Sequence, residues 1–233
     1  MTKTIAVFKK DFKSLFFSPL AYIVIAAFLF LNSYFAINWM REASMRDVFG
    51  LTITLLVFMM PVITMRAFAD EFRNGTDELL MTSPLEPYQI VFGKFLAIMG
   101  MLSVIILLTL QYVVIIGVYG SPDWGPVFTG YAGLFLVTAA LSSVGVFVSS
   151  LTRNHMIAGV LTFAAMLFLI AIQQLSNVLT VYSADRVLQS LDVLNHFSDF
   201  EKGVLDSTHF VFYAAFISVF LFLTVRRIEA RRY

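Results

Sequence analysis

Six long apolar stretches dominate the pattern of the chain, and each is long enough to cross a lipid bilayer as a helix. A spanning helix needs about 20 mostly apolar residues, because each residue adds about 1.5 Å against a hydrocarbon core of roughly 30 Å. The stretches lack the alternation of apolar and polar residues that marks the strands of a membrane barrel. The pattern predicts an all-α polytopic membrane protein with spans at 20–39, 49–68, 95–119, 127–151, 156–176 and 209–225.

Composition excludes the soluble classes of protein. Of the 233 residues, 59% are hydrophobic and only 13% are charged, whereas a soluble domain has about 45–50% and about 25%. A formal net charge of +1 argues against nucleic acid as a partner. Because the chain has no cysteine, disulfides, Cys-ligated metals and thiol nucleophiles are excluded.

The distribution of lysine and arginine between the loops predicts the orientation. Cytoplasmic loops carry the excess of these residues, and placing the N-terminus inside gives twelve cytoplasmic residues against four outside. The twelve are Lys3, Lys9, Lys10, Lys13, Arg66, Arg73, Lys94, Arg153, Arg226, Arg227, Arg231 and Arg232. The four are Arg41, Arg46, Arg186 and Lys202. Both termini are therefore expected in the cytoplasm.

The first non-spanning segment, residues 1–19, is basic and amphipathic. Ile5, Phe8, Phe12 and Leu15 recur at three- and four-residue spacing, and the lysines lie largely on other faces. This pattern predicts a helix on the inner leaflet whose lysines reach anionic headgroups. The alternative is a cationic tail that only sets the topology.

The second non-spanning segment, residues 69–94, forms a cytoplasmic elbow between spans two and three. Asn74-Gly75 is a turn signal, and Thr76 is expected to cap a short helix that Pro84 ends. Pro87 suits the first turn of the next helix, which runs into span three. The elbow is the least lipid-like part of the chain.

The third segment, residues 177–208, lies outside. The spacing of Leu188, Leu191 and Leu194 suggests a helix that rests on the outer surface or dips in without crossing. Asp192 would make a true span costly.

The absence of ionisable residues from the middles of the spans, and of metal-binding and nucleotide-binding motifs from the sequence, argues against several classes of function. The middles of the six spans contain no ionisable residue, which disfavours ion-coupled transport. His155, His196 and His209 are too scattered along the sequence to predict a metal site, and Gly93-Lys94 lacks the other residues of a phosphate loop. We therefore expect no catalytic, metal or nucleotide site, and energy must come through a partner.

Two kinds of neutral residue inside the spans remain. Small residues such as Gly145 and Ser149 are expected to let helices pack closely. Polar side chains either make interhelical hydrogen bonds or sparsely line a path for an amphipathic or lipid-linked substrate. The candidate path residues are Asn32, Gln111, Gln173 and Gln174.

The elbow carries a family resemblance. Glu71, Arg73, Gly75-Thr76, Glu78-Leu79-Leu80, Ser83-Pro84 and Gly93-Lys94, in this order and spacing, resemble the signature of ABC-2-type permeases. These are the six-helix membrane subunits of ABC exporters of the type V architecture. The stretch 196–206 and the Phe-rich last span, which ends at 223–227, are similar to the gliding-motility-associated subgroup.

The resemblance implies a coupling helix after span two that docks on a separate ATPase subunit, which binds ATP and Mg. By position, the coupling residues would be Glu71, Arg73, Gly75, Thr76, Glu78 and Leu79. The amphipathic start corresponds to the connecting helix of the family, which also touches the ATPase. No cofactor is expected on this chain itself.

The resemblance also implies a second permease subunit. Two permeases form the translocation path, as a homodimer or a heterodimer, with lining from spans two and five. In the gliding-type subgroup the second subunit bears a large extracytoplasmic domain. The implied location is the bacterial inner membrane, where the chain would be multi-pass.

Two rival functions stay open. A non-energised anchor or scaffold of a secretion or gliding-motility complex explains the missing charges, but gives no reason for the elbow. A membrane enzyme acting on lipid would need an acid/base or metal cluster that the sequence does not show. The apolar interior suits a lipid, a lipoprotein segment or a hydrophobic peptide equally well.

Overall fold

The computed structural model describes residues 2–39, 45–76, 85–119, 123–178 and 192–232. Within these ranges six helices are long and apolar enough to cross a membrane, which confirms the all-α fold with six spans. The spans are Pro19–Trp39, Met45–Thr64, Pro87–Leu108 with its continuation Leu110–Tyr119, Trp124–Leu151, His155–Val178 and Ser207–Arg232. With six spans in the described residues, both termini would lie on one side, and the loop charges predict that this side is the cytoplasm.

In the described part of the chain, three shorter helices lie between or before the spans. We call them the N-terminal helix, Thr2–Phe16, the elbow helix, Ala69–Asn74, and the outer helix, Phe197–Glu201. The elbow helix follows the second span after a four-residue turn at 65–68. The outer helix precedes the sixth span.

The fourth span is the centre of the bundle. Of the residues in its most apolar stretch, 78% are buried, against 17% in the corresponding stretches of the fifth and sixth spans. Its sequence is rich in Gly, Ala, Ser and Thr, which let neighbouring backbones approach closely. Gly130 contacts the ring of Phe49 in the second span, and Gly145 contacts Thr64 near the end of the same span.

Ser149 of the fourth span holds the turn that follows the second span. Its Oγ accepts hydrogen bonds from the backbone N–H groups of Phe68, at 3.1 Å, and Ala69, at 3.3 Å. The same hydroxyl donates to the carbonyl oxygen of Met65 at 3.1 Å. One buried hydroxyl therefore satisfies three backbone groups where the helix is interrupted. Small residues at 145 and 149 thus serve close packing, as the sequence suggested.

The N-terminal helix packs on the cytoplasmic part of the third span. A Cβ at Gly93 would lie 2.7 Å from the Cβ of Val7, and one at Gly100 would lie 2.9 Å from the Phe12 ring. Val7 is buried, whereas Ile5, part of the predicted apolar stripe, is half exposed. The helix is amphipathic as expected, but its innermost residue faces protein, because two glycines leave a groove on the third span.

The outer helix is inserted into the bundle. Phe197 and Phe200 are buried, and a Cβ at Gly133 would lie 2.7 Å from the Cβ of Phe200. The Thr129 hydroxyl donates to the carbonyl of Phe200 at 2.7 Å. The segment therefore dips in at this point, while residues 179–191, with Leu188 and Leu191, lie outside the described residues.

Two histidines meet at the outer end of the bundle. The rings of His196 and His209 lie 5.1 Å apart, and His209 Nε2 lies 3.1 Å from a carboxylate oxygen of Asp199. The two rings therefore lie close in space although the residues are separated in the sequence. The turn before the outer helix brings residue 196 back against the start of the sixth span, a contact that sequence distance hides.

Glu201 ends the outer helix in a partly buried position facing the start of the second span. Burial raises the pKa of Glu201 to about 7. The nearby positive charges of Arg46 and Lys202 lower this pKa, and the negative charge of Asp47 raises it, but burial has the largest effect. The folded protein therefore binds this proton more tightly than the unfolded chain does. Between the ordinary value of 4.5 and about 7, the contribution of Glu201 to stability falls as pH rises.

We expect Gly145→Ala to destabilise the bundle by about 1–3 kcal/mol, because the new methyl group overlaps Thr64. The measurement is denaturant titration of the purified chain in detergent. Gly50→Ala is the control, since its Cβ would meet nothing nearer than 4.0 Å. Equal stability of both variants would contradict the close packing.

We expect Glu201→Gln to flatten the pH dependence of the melting temperature between about pH 5 and about pH 7.5, because the titrating proton is removed. In the wild-type chain the melting temperature should fall more steeply across this window. All other groups are the same in both proteins, so the difference between the two curves isolates Glu201. Parallel curves would rule out a raised pKa at this position.

Candidate functional site: the cytoplasmic charge cluster

The elbow helix is short and has stabilising residues at both ends. Asp70 and Glu71 lie in its first turn and Arg73 in its last turn, which suits the partial charges at the two ends of a helix. Gly75 follows in the left-handed region at φ 68°, with its N–H on the Glu71 carbonyl. A residue with a Cβ is strained there. The turn signal at Asn74-Gly75 is therefore confirmed.

Thr76 closes this helix from the C-terminal side. Its backbone N–H lies 3.1 Å and its hydroxyl 3.4 Å from the Glu71 carbonyl oxygen. The sequence assigned Thr76 to the start of a following helix, but a hydroxyl can serve the end of one helix as well. Residues 77–84, which hold Glu78 and Leu79, lie outside the described residues. Pro87 opens the third span in its first turn, as predicted.

Four charged side chains meet beside the elbow helix. Lys94 Nζ lies 2.8 Å from an oxygen of Glu71 and 3.1 Å from an oxygen of Asp11. Lys10 Nζ lies 3.2 Å from the other Glu71 oxygen and 3.8 Å from Asp11. We call Lys10, Asp11, Glu71 and Lys94 the charge cluster. It joins the N-terminal helix, the elbow helix and the third span, and its formal charges balance.

Three of the four side chains in the charge cluster are largely buried. The Lys94 side chain is only 5% exposed, and those of Asp11 and Glu71 are 13% and 16% exposed. Removing an ammonium group from water costs a large desolvation free energy unless carboxylates lie beside it. Lys94 Nζ also lies 5.1 Å from the centre of the Phe68 ring, a favourable cation–π distance.

Lys10 lies at the edge of the cluster and stays charged. Partial burial opposes its charge, but the carboxylates of Glu71 and Asp11 raise the pKa of Lys10 above its usual value. The amine is therefore protonated at neutral pH. Its side chain is 62% exposed, so it reaches both the carboxylates and the water at the membrane surface.

A second set of contacts ties the elbow helix to the fifth and sixth spans. His155, which begins the fifth span, has Nδ1 3.2 Å from an Arg73 nitrogen and 3.4 Å from an Asp70 oxygen. The guanidinium of Arg231 lies 3.9 Å from the centre of the Phe72 ring. With Ser149 of the fourth span, these contacts connect the elbow helix to most of the bundle.

The predicted coupling residues separate into two groups. Glu71 points into the protein, where it binds Lys10 and Lys94. Arg73, Gly75 and Thr76 are exposed at the cytoplasmic face. The structure therefore places Glu71 in the ion pairs that hold the elbow helix, and leaves Arg73, Gly75 and Thr76 at the surface.

The predicted path residues do not form one lining in this protomer. Asn32 is fully buried, and its amide nitrogen donates to the hydroxyl of Thr52 at 2.9 Å. This favours the interhelical hydrogen bond over the path for Asn32. Gln111 and Gln174 are exposed, and Gln173 is half-buried. Gln111 and Gln174 thus lie at the surface of the chain, whereas Asn32 lies inside it.

Lys94 and Asp11 are the site residues that sequence reasoning missed. In the sequence, Gly93-Lys94 reads only as an incomplete phosphate loop or as part of the family signature. A better signal was a single lysine inside the apolar run from 90 to 102, since a buried lysine needs carboxylate partners. Asp11, the one acid among the lysines of the N-terminal segment, was the available candidate.

Comparison with protein families gives one match. The profile described as ABC-2 family transporter protein matches residues 41–183, a range that includes spans two to five and the elbow. Among curated proteins, none matches the chain significantly.

We expect Lys94→Met to destabilise the chain by up to about 3 kcal/mol, because Glu71 and Asp11 lose their buried partner while Lys10 remains. Adding Glu71→Gln should recover part of this loss, with a coupling energy of at least about 1 kcal/mol in a double-mutant cycle. Denaturant titration in detergent gives the four stabilities.

The matched control is the exposed pair Arg226–Glu229, whose atoms lie 3.2 Å apart. The same cycle on this pair, with Arg226→Met and Glu229→Gln, should give no more than about 0.5 kcal/mol. Equal coupling energies in the two cycles would show that the charge cluster contributes no more than a surface ion pair.

Proposed function

The chain belongs to the ABC-2 transporter family, and from this membership we propose that it is a permease subunit driven by a separate ATPase. As a multi-pass membrane component of a transporter, it would form half of a translocation path. ATP and Mg would bind to the partner ATPase, and this chain would supply movement rather than hydrolysis.

The observation that carries this proposal is the attachment of the elbow helix to the rest of the protein. It contacts the N-terminal helix and the third span through Glu71, the fourth span through Ser149 and the fifth through His155. A push on the elbow therefore reaches several helices at once. Rigid-body movement of packed helices is an established way to transmit such a push.

The docking surface for the ATPase would be the exposed end of the elbow. Arg73, Gly75 and Thr76 are exposed there, and the chain continues directly into Glu78 and Leu79. In this proposal Glu71 acts indirectly, since its ion pairs fix the direction in which the elbow helix points. The left-handed conformation of Gly75 sets the exit of the chain toward the partner.

The second half of the path would come from another permease subunit, as a homodimer or a heterodimer. The first, fifth and sixth spans leave most of their apolar surface uncovered in the single chain, so both lipid and a second subunit can be accommodated. Gln173 and Gln174 on the fifth span, together with the second span, would then face the partner. The subunits would lie in a bacterial inner membrane.

A finer assignment rests on the similarity of 196–206 and the last span to gliding-motility permeases. It implies a type V exporter whose second subunit bears a large extracytoplasmic domain. A lipid, a lipoprotein segment or a hydrophobic peptide would suit the uncharged interior. The rival function is a non-energised scaffold of a secretion or motility complex.

The test is co-reconstitution with an ATPase subunit encoded beside this chain, followed by ATPase and co-purification assays. We expect Arg73→Glu, Gly75→Pro and Glu78→Lys each to reduce stimulation of the ATPase at least about tenfold, about 1.4 kcal/mol of coupling. Membrane insertion should be unchanged.

Lys202→Glu is the matched control, because it reverses an exposed charge at the opposite end of the bundle. It should leave ATPase stimulation at the wild-type level. Wild-type stimulation and association in all three elbow variants would overturn the docking surface. Stable co-purification without any change in ATPase rate would favour the scaffold.

A further inference from the structure

A cavity of about 640 Å³ lies between the N-terminal helix, the first three spans and the elbow helix. Sites for small ligands have volumes of roughly 300–1,000 Å³. The cavity is at the cytoplasmic boundary of the membrane, because the charged elbow and Lys10 of the N-terminal helix border it. It borders Thr76 but neither Arg73 nor Gly75 of the exposed end of the elbow, where an ATPase would dock.

The wall of the cavity changes from charged to apolar with depth in the membrane. Arg66, in the turn after the second span, borders it at the cytoplasmic end, and Val62 of the second span borders it about one turn deeper. On the third span, Lys94 is followed by Ile98 and Met101. At 1.5 Å per helical residue, these apolar side chains lie about 6–10 Å further into the bilayer than the charges. Such a gradient matches an amphipathic ligand.

The charged end favours a phosphate group. Among the described residues the ion pair of Arg66 is a long one, with Nε 3.9 Å from Asp70, and its side chain is 41% exposed. A guanidinium has five N–H donors and binds phosphate through two of them. Lys10 lines the same cavity, and its side chain is 62% exposed. The carboxylates of Asp11 and Glu71 contact Lys10 on this side and are also paired with the buried Lys94, so an added phosphate would meet neutralised carboxylates.

We propose that this cavity binds one phospholipid of the cytoplasmic leaflet. Its phosphate contacts Arg66 and Lys10, and one acyl chain lies along Val62, Ile98 and Met101. Because Glu71 and Thr76 also line the cavity, the bound lipid contacts the elbow helix from the membrane side. The site requires only the membrane placement of the spans, so it stands whether or not the elbow binds an ATPase.

A soluble phosphate compound has the same phosphate group as a phospholipid, and a neutral lipid has the same acyl chains. Three probes separate these sources: short-chain phosphatidylglycerol, glycerol 3-phosphate without chains, and short-chain diacylglycerol without phosphate. Native mass spectrometry of the purified chain in detergent gives the stoichiometry and the affinity. We expect one saturable phosphatidylglycerol, with the other two probes bound at least about tenfold more weakly.

Two variants address the two ends of the site, and each has a matched control. Arg66→Gln removes the cation, and Arg226→Gln makes the same change in an exposed ion pair of the sixth span. Val62→Trp fills the apolar part, and Val219→Trp makes the same change on an exposed face of the sixth span. We expect at least about a fivefold loss of affinity in the first of each pair and none in the controls.

The outcomes decide between the ligands. Wild-type affinity in Arg66→Gln would overturn the phosphate contact, and equal binding of diacylglycerol would do the same. Equal binding of glycerol 3-phosphate would overturn the lipid assignment in favour of a soluble anion. Non-saturable binding of several lipids would show a general lipid surface rather than a site. Melting curves accompany each variant, and if Val62→Trp does not fold, the exposed Arg66→Gln decides.

Discussion

A lysine ammonium buried at the membrane boundary constrains the cytoplasmic half of this protein. Lys94 cannot lie inside the third span without anions beside it, because the cost of desolvating an unpaired charge is several kcal/mol. The anions come from two other elements, Asp11 on the N-terminal helix and Glu71 on the elbow helix. The requirement of one side chain therefore fixes the relative positions of three helices. The elbow is placed by electrostatics as much as by apolar packing.

The bundle itself depends on a different principle. The fourth span is built of small residues, so the second span and the outer helix approach it closely. Lipid tails are as apolar as leucine, and helices in a bilayer therefore associate through close packing and hydrogen bonds rather than through exclusion of water. Ser149 combines both, since it is small and binds three backbone groups at the interruption of the second span.

Much of the fold could be read from the sequence because a bilayer demands long apolar helices. The six spans follow from run lengths, and Gly75 and Pro87 mark local backbone requirements that act wherever they occur. Contacts between side chains on different helices are harder to predict from the sequence. The meeting of His196 and His209 depends on a turn, and the burial of Val7 rather than Ile5 depends on Gly93 and Gly100 of a helix about ninety residues away. The inward orientation of Glu71 likewise depends on Lys94, which no local pattern links to it.

The charge cluster also has a consequence for how the chain is made. Asp11 leaves the ribosome early, whereas Lys94 follows only after two spans have been synthesised. Until the third span arrives, Asp11 has Lys10 as its nearby cation, and the N-terminal helix can rest on the membrane surface. Only when Lys94 is in place can the N-terminal helix form the complete cluster in the groove of the third span. Completion of the cluster thus coincides with correct insertion of the first three spans, and a misoriented third span would leave its lysine on the wrong side of the membrane.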